Sequence, residues 1–466
     1  MKIVKGPLEW FNDRTGLVDK LGPLLKHPVP PDTGWMYVFG TAVLTSFAVQ
    51  ILTGIMLATM YVPSSSEAYR SLEFITHDAT LGSFVRGMHY WGASAMILFL
   101  GVHMIRVFLT GSYKFPREMS WISGLFLLLF TVGMGFSGQT LRWDQNAVWS
   151  IVVGAEQVGR VPYLGQWLAR LILTGGTLTS VTLSRFFALH VFILSGLIIA
   201  TLGFHLYLVL RNGISEPPKP GCPVEIPRYR ESYRRLLAKS GVPFWPNAIW
   251  RDAVFSLAVV AGIMLLAWLV GPPALGRHPN PSIVQAQPRP DWYLLWYFAV
   301  LALLPHAAEK YVIVLGPLVA GLALILLPFA FRGGERDASR RPWSVAAVAA
   351  IVISVAVLWR AGVTAKWSPD FNAKPLPRAV VGATSGPVFV GSQLFFNKGC
   401  IYCHSIARQG GRRGPDLTTV GSRLTRQQMI IRVSNGGYNM PGYGGILDSA
   451  ELAQLVGFLE SRQSQQ

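Results

Sequence analysis

The sequence predicts an all-α membrane protein: a polytopic bundle of about seven transmembrane helices followed by a small, soluble-looking helical domain. Three observations predict it. Only 14% of the 466 residues are charged and mean hydropathy is +0.38, whereas soluble domains carry roughly a quarter charged residues. Seven runs approach or exceed the ~20 apolar residues needed to cross a bilayer as a helix. From about Ser368 the composition shifts to a polar, Pro/Gly-containing stretch and then to soluble-looking sequence.

The apolar runs fall at roughly 36–61, 86–110, 120–138, 184–210, 249–271, 309–331 and 342–360. The N-terminal 35 residues are mixed polar and Pro-rich, without the apolar core of a cleavable signal peptide. The aromatic run Trp292–Leu304 is short for a span and reads as a re-entrant or interfacial piece. Residues 1–215 then hold four spans and 216–367 three more; 368–386 form a linker, and 387–466 a small domain closed by an amphipathic helix, Asp448–Arg462.

The net charge of +18 raises nucleic-acid binding, but the basic residues lie in short loops between apolar runs, as the positive-inside rule requires. One side holds Lys2, Lys5, Arg14, Lys20, Lys26, Lys114 and Arg117. It also holds the Arg211–Arg251 loop and Arg332, Arg336, Arg340 and Arg341. The other side is sparser, with Arg70 in its first loop and Arg277 and Arg289 in its third. The N-terminus is therefore expected in the cytoplasm. An odd number of spans then puts the C-terminal domain outside, where bacteria attach c-type haem.

Two apolar runs carry paired histidines. His89 and His103 are 14 residues apart, His190 and His205 are 15 apart. On a helix these steps return to within roughly 40° and 60° of the starting direction and rise about 21 Å. Each pair thus shares one face at two depths. His89 would face His190 near the outer surface and His103 would face His205 near the inner one. Two bis-histidine haems stacked across the bilayer is the simple solution; the alternative is polar residues hydrogen-bonded between helices. Gly40 and Gly54, and Gly124 and Gly138, repeat the 14-residue spacing on the first and third runs. They would let a flat porphyrin approach the backbone. Arg86 and Arg106 lie three residues from a histidine, as propionate partners or as interfacial side chains.

Cys400-Ile-Tyr-Cys403-His404 is the signature of covalent haem attachment. Two thioethers would form at the cysteines, with His404 as the proximal ligand. Zinc would need further Cys or His ligands nearby, and a redox dithiol would not need His404. Met440, in Asn439-Met440-Pro441-Gly442-Tyr443, is the candidate sixth ligand; otherwise it is a loop Met in a small core. Cys222 reads as an unpaired thiol. Asp291, in Pro290-Asp291-Trp292-Tyr293, reads equally as a proton acceptor in a dry pocket or as a cap for the following helix.

The stretches Phe84-Val-Arg-Gly-Met-His89-Tyr-Trp-Gly-Ala-Ser-Ala-Met and Gly111-Ser-Tyr-Lys-Phe-Pro-Arg-Glu-Met-Ser-Trp-Ile-Ser-Gly124 resemble cytochrome b of quinol:cytochrome c reductase (bc) complexes. The chloroplast and cyanobacterial form is the nearest, with its two separate parts joined over about residues 30–370. The C-terminal region resembles a class I cytochrome c, from Gly391 and Phe395 through the haem motif and Gly414-Pro415 to the Met loop and closing helix. The Pro415 carbonyl would orient His404.

The resemblance implies two haem b groups, one haem c and a quinol/quinone substrate. Pro-Asp-Trp-Tyr resembles the family's Pro-Glu-Trp-Tyr, so Asp291 and Tyr293 would line the quinol-oxidation site with Gly154. The Asp variant points to menaquinol. Arg211 is a candidate for the inner quinone site. Val38 stands where the chloroplast type has a haem-binding cysteine, so an extra inner haem is not expected. The implied path takes one electron to a separate Rieske iron–sulfur protein and on to haem c. The other electron crosses through the b haems to quinone inside, with protons released outside. Also implied are a bacterial cell-membrane location, a homodimer, small membrane subunits, and a cytochrome c or terminal oxidase as acceptor. The rivals are a non-bifurcating dihaem anchor between the quinone pool and a dehydrogenase or reductase, and a haem-based redox sensor or assembly protein.

Overall fold

A computed structural model describes residues 6–174, 178–279, 289–304, 306–365, 369–370, 372–436, 440 and 442–463. Regular structure is almost entirely helical. The named strands among the described residues form two antiparallel two-residue pairs, Pro28–Val29 with Val242–Pro243 and Ser405–Ile406 with Gln409–Gly410. The chain divides into two units, one of residues 1–279 and 305–355, the other of 280–304 and 356–466.

Among the described residues, seven helices are long and apolar enough to span a membrane: Phe39–Ala58, Gly82–Leu109, Glu118–Thr140, Ser180–Asn212, Ile249–Leu269, Tyr311–Ala330 and Pro342–Thr364. Each covers its predicted run to within a few residues. Trp292–Leu303 is a short apolar helix, as its length required. Large apolar side chains such as Leu52, Leu129, Phe192 and Leu257 point away from the protein; in lipid this carries no penalty. Hydroxyls inside the first span bond back to their own helix, Ser46 to the Ala42 carbonyl at 2.9 Å and Thr53 to that of Val49 at 2.6 Å. A bilayer offers no water to do so.

The fourth span differs from a regular α-helix. Leu189–Leu194 form one π-type turn, and Ser195 Oγ donates to the His190 carbonyl at 2.9 Å. A π turn absorbs one extra residue. It therefore offsets the surplus of the 15-residue His190–His205 spacing over the 14 of His89–His103.

On the side of the N-terminus, buried cations cap helix ends. Arg341 donates to the Phe108 and Leu109 carbonyls that end the second span, and Arg117 to Asn212 and Gly213 at the end of the fourth. Lys114 donates to Phe331 and Gly333 after the sixth. Each positive charge meets the negative end of a helix dipole. Arg336 is paired with Glu216 at 2.6 Å. Burial, with Arg341 and Arg336 beside it, lowers the Lys114 pKa to about 8.

On the opposite side, Asp144 is fully buried and caps the helix Gln145–Gly159, accepting from Ala147 N–H at 2.9 Å. It also accepts from Gly276 N–H at 3.0 Å and from Arg142, through Nε at 3.0 Å and through Nη2. Tyr69 donates to the Gly276 carbonyl at 2.8 Å. One carboxylate thus ties the loop after the fifth span to the end of the third.

The C-terminal domain packs the helices Gly386–Asn397 and Ser449–Glu460 across each other. A Cβ on Gly391 would lie 2.2 Å from the Gln454 carbonyl oxygen, so the crossing requires glycine there. Phe395 and Phe458, one from each helix, meet at a tilt with ring centres 5.8 Å apart. The closing helix begins with a capping box formed by Asp448 and Glu451. The stretch expected to be a linker is partly core: Leu376 and Val381 are buried in the domain, and Arg462 donates to the Val380 and Val381 carbonyls.

Removing one partner of a buried ion pair costs roughly 3–5 kcal/mol. Asp144→Ala is expected to lower the melting temperature of the detergent-solubilised protein by several degrees; an unchanged melting temperature would remove Asp144 from its anchoring role.

Candidate haem and quinone sites

His89 on the second span faces His190 on the fourth with ring centres 6.4 Å apart. A metal bound at about 2 Å to one nitrogen of each ring, with each ring centre roughly 1 Å further back, separates the centres by about 6 Å. The spacing fits one iron between them. His103 and His205 line a single cavity of about 620 Å³ with Arg106. Arg106 is buried and stacks 3.7 Å over the Tyr37 ring, and its Nε and Nη2 have no hydrogen-bond partner. A buried guanidinium with two unpartnered nitrogens beside a cavity fits a carboxylate such as a haem propionate.

The glycines do something more specific than leaving room for a porphyrin. Each lies behind a histidine. A Cβ on Gly54 would sit 3.3 Å from His89 Cε1, on Gly40 3.3 Å from His103 Cε1, on Gly138 2.9 Å from His190 Cε1, and on Gly124 3.7 Å from His205 Cε1. The period of 14 on the first and third spans is thus the counterpart of the histidine spacing on the second and fourth.

Hydroxyls beside these glycines were missed in the sequence. Thr53 Oγ1 is 2.9 Å from His89 Nδ1, Ser137 Oγ 3.0 Å from His190 Nδ1, and Ser123 Oγ 2.8 Å from His205 Nδ1. Each hydroxyl donates its own proton to a carbonyl, of Val49, Met134 and Ser120 respectively. It must therefore accept from the imidazole. Nδ1 carries the proton and Nε2 keeps the lone pair that a metal takes. The available signal was a Ser or Thr directly before glycine, as in Thr53-Gly54, Ser123-Gly124 and Ser137-Gly138; Gly40 follows Phe39.

Two predicted arginines are placed differently. Arg86 is buried but spends Nη1 on Thr76 Oγ1 at 3.2 Å and Nη2 on the Pro273 carbonyl at 2.8 Å. It braces a loop rather than offering itself to a propionate. Arg211 is exposed, bonds Tyr207 Oη at 2.9 Å and does not line the cavity. The cavity wall instead includes His27, Arg251 and Asp252, which sequence reading passed over because none lies in a motif. Val38 is 2% exposed and also lines it.

Asp291 precedes the turn Trp292–Leu294 in the capping position, but its side chain makes no capping bond to it. Trp292 and Tyr293 meet edge to face with ring centres 5.9 Å apart. Pro290 directly precedes Asp291. Gly154 belongs to the helix Gln145–Gly159, where a Cβ would lie 3.1 Å from Phe136 Cζ, so that helix rests on the ring.

In the C-terminal domain, His404 Nδ1 donates to the Pro415 carbonyl at 2.9 Å, which again leaves Nε2 for a metal. A Cβ on Gly414 would lie 2.5 Å from His404 Cε1, so glycine backs this imidazole too. Cys400 and Cys403 are free thiols on one helical turn. Burial pushes the Cys400 pKa up to about 11 and raises that of Cys403. Among the described residues no group of three or more His, Cys, Asp or Glu is arranged to hold an ion. Met440 packs against the domain core; Asn439 and Pro441 lie outside the described residues.

Histidine pairs inside a membrane bundle, joined in one chain to a Cys-x-x-Cys-His domain, define the class of multihaem membrane electron carriers. Comparison with known proteins gives the family. Residues 24–213 match the family model "Cytochrome b/b6/petB", 279–372 match "Cytochrome b(C-terminal)/b6/petD", and 391–459 match "Cytochrome C oxidase, cbb3-type, subunit III". The chain is 37% identical over 212 residues to cytochrome b6 of Heliobacterium modesticaldum, covering 45% of this chain and all of that one. It is 31% identical over 330 residues to the cytochrome bc complex cytochrome b subunit of Chlorobaculum thiosulfatiphilum, covering 70% and 74%. A solved structure described as a hyperthermophilic respiratory Complex III matches with a TM-score of 0.66 and 26% identity, over 76% of this chain and 91% of that one. The chain belongs to the cytochrome b/b6 family and carries a cytochrome c-type domain at its C-terminus. Haem, membrane helices and electron transport within a quinol oxidoreductase go with that membership.

The glycine contacts generate a paired test. Gly138→Ala places a methyl group against a ring that cannot retreat, and should cut the haem b content of the purified protein by about half. Gly124→Ala has ordinary contact distance and should retain both b haems. Pyridine haemochrome ratios of b to c decide it; equal ratios in the two variants would contradict the packing.

Proposed function

We propose that this chain is the core subunit of a quinol:cytochrome c, or other-acceptor, oxidoreductase that oxidises quinol at the outer face of a bacterial cell membrane. Two glycine-backed imidazole sites in one bundle carry this reading. The Pro290-Asp291-Trp292-Tyr293 segment adds a carboxylate at the start of a short apolar helix. His89 with His190, and His103 with His205, would each hold a haem b through Nε2. Cys400 and Cys403 would hold haem c covalently, with His404 and Met440 as axial ligands. These groups supply one-electron transfer across the bilayer and outward.

The chain's own residues do the rest. Asp291 accepts a proton from a quinol hydroxyl, and Tyr293 orients the ring. Pro290 and Trp292 keep water away, so the proton leaves through the carboxylate. By the family resemblance, Gly154 belongs to the same quinol-oxidation site. Arg106 answers a haem propionate. Asp252, in the cavity beside His103 and His205, is the better candidate than Arg211 for a polar contact to quinone on the inner side. The Asp in Pro-Asp-Trp-Tyr favours menaquinol.

Lysine and arginine in the loops on the N-terminal side support a cytoplasmic N-terminus and a C-terminal domain outside. A separate Rieske iron–sulfur protein would take the first electron, since the chain has no cysteine beyond Cys222, Cys400 and Cys403 to hold such a cluster. A homodimer with small accessory subunits, delivering electrons to a cytochrome c or oxidase, completes the assembly.

Loss of a positioned general base costs about 10²–10⁴-fold in rate. Asp291→Asn should slow quinol oxidation by the assembled complex within that range, with the b and c haem spectra unchanged. Unchanged turnover would remove Asp291 from proton transfer and favour the non-bifurcating anchor.

A further inference from the structure

We propose that Arg230 and Arg332 form a binding site for the phosphate of an anionic phospholipid, where the third span begins and the sixth ends. The two residues are far apart in the chain, yet both reach one aromatic ring. Arg230 places its guanidinium 5.4 Å from the centre of the Phe115 ring, and Arg332 places its own at 5.9 Å. The chemistry of such a site is independent of the haems and of quinone.

Backbone contacts fix the ring and Arg332 to each other. Phe115 N–H donates to the Arg332 carbonyl at 3.0 Å. The neighbouring Lys114 ammonium donates to the Phe331 carbonyl at 2.9 Å and to that of Gly333. Arg230 comes from the loop between the fourth and fifth spans, on the helix Tyr229–Ser240. That helix is held by its buried first residue. Tyr229 Oη accepts from Arg117 Nη1 at 2.8 Å and donates to Glu216 Oε2 at 2.8 Å. The loops that carry the two guanidiniums are thus both anchored to the segment Lys114–Arg117. Like charges gathered beside one ring repel, and little negative charge is at hand to offset them. Glu118 pairs with Arg332 at 3.3 Å, and Glu231, next to Arg230, is taken by Arg235. Arg230 makes no hydrogen bond or ion pair to a described residue, nor does the exposed Arg234 one turn further on. An anion shared by Arg230 and Arg332 answers both.

The ligand class follows from position and neighbours. Arg332 lies two residues past the sixth span and Glu118 opens the third, which is the depth of phospholipid headgroups. The planar fork of a guanidinium matches phosphate oxygens two at a time. Deeper in the bilayer the same two spans are joined. Pro328 has no N–H, so the Leu324 carbonyl is left over within its helix, and Trp121 Nε1 donates to it at 2.7 Å. Met119 and Phe126 on the third span, and Leu326 and Phe329 on the sixth, stay exposed and offer apolar surface to acyl chains. Charge then selects among lipids. With Arg230, Arg234 and Arg332 set against Glu118, the ammonium of a choline or ethanolamine headgroup is repelled, while a glycerol headgroup leaves the phosphate charge to the arginines. Inorganic phosphate shares the phosphate chemistry and leaves the apolar surface uncovered.

The test uses the full chain with its haems, delipidated in detergent and titrated with dioleoylphosphatidylglycerol. Bound lipid is counted by native mass spectrometry. The wild type should bind its first phosphatidylglycerol about tenfold more tightly than dioleoylphosphatidylcholine. Arg230→Gln should weaken that first lipid about tenfold and remove the preference, at an unchanged ratio of haem b to haem c. Lys239→Gln, exposed at the far end of the same helix, should bind as the wild type does. Equal affinity of the wild type for the two lipids would overturn the site. Equal weakening in Arg230→Gln and Lys239→Gln would overturn it too, since a diffuse basic surface produces that result. Displacement of the lipid by millimolar inorganic phosphate would overturn the lipid assignment in favour of a soluble phosphate ligand.

Discussion

The constraint on which the rest of this structure depends is an imidazole packed through Cε1 against a glycine. It occurs five times, at His89 on Gly54, His103 on Gly40, His190 on Gly138, His205 on Gly124 and His404 on Gly414. A Cβ would meet the imidazole below 3.0 Å at Gly138 and Gly414 and at 3.3 Å at Gly40 and Gly54, while at Gly124 it would reach ordinary contact at 3.7 Å. Four of these contacts fix how the first four spans pack, because each joins a glycine helix to a histidine helix. The fifth fixes the loop of the C-terminal domain. The polar complement repeats as well: where an Nδ1 partner is seen, it is a hydroxyl committed elsewhere or a carbonyl, so the proton stays on Nδ1.

Much of this was legible in the sequence. Span positions followed from apolar length, which bilayer thickness dictates. The histidine pairs followed from helical periodicity, and the Cys-x-x-Cys-His loop from chemistry that few other residue patterns share. What was not legible depended on local departures or on distant neighbours. The π turn at Leu189–Leu194 resolves a spacing that regular helix arithmetic left about 60° out of line. Arg86 and Arg106 were equivalent by sequence distance from a histidine, yet one is consumed by Thr76 and Pro273 while the other faces a cavity. Only the fold of residues far along the chain decides that. Asp252 and His27 belong to no motif and become visible only when the strand pair brings the N-terminal segment to the fifth span.

The basic side of the bundle joins topology to stability. In the sequence, Lys114, Arg117, Arg336 and Arg341 mark orientation. All four are buried, and three of them cap the carbonyl ends of spanning helices. A cation at the C-terminal end of a helix is favourable on dipole grounds alone. It also satisfies carbonyls that lipid cannot. The charge that sets which way the chain is threaded thus also closes the helix ends once it is threaded.

The central claim is that one polypeptide holds two haem b groups at its imidazole pairs and one haem c at its Cys-x-x-Cys-His loop. The most direct measurement is the haem content of the purified wild-type chain, by pyridine haemochrome spectra and by haem staining of the denatured polypeptide. The account predicts two haem b to one haem c, with stain persisting at the full mass of 51.2 kDa. A stained polypeptide with no b-type spectrum would contradict the imidazole-pair assignment, and a b-type spectrum with no stain would contradict the covalent site.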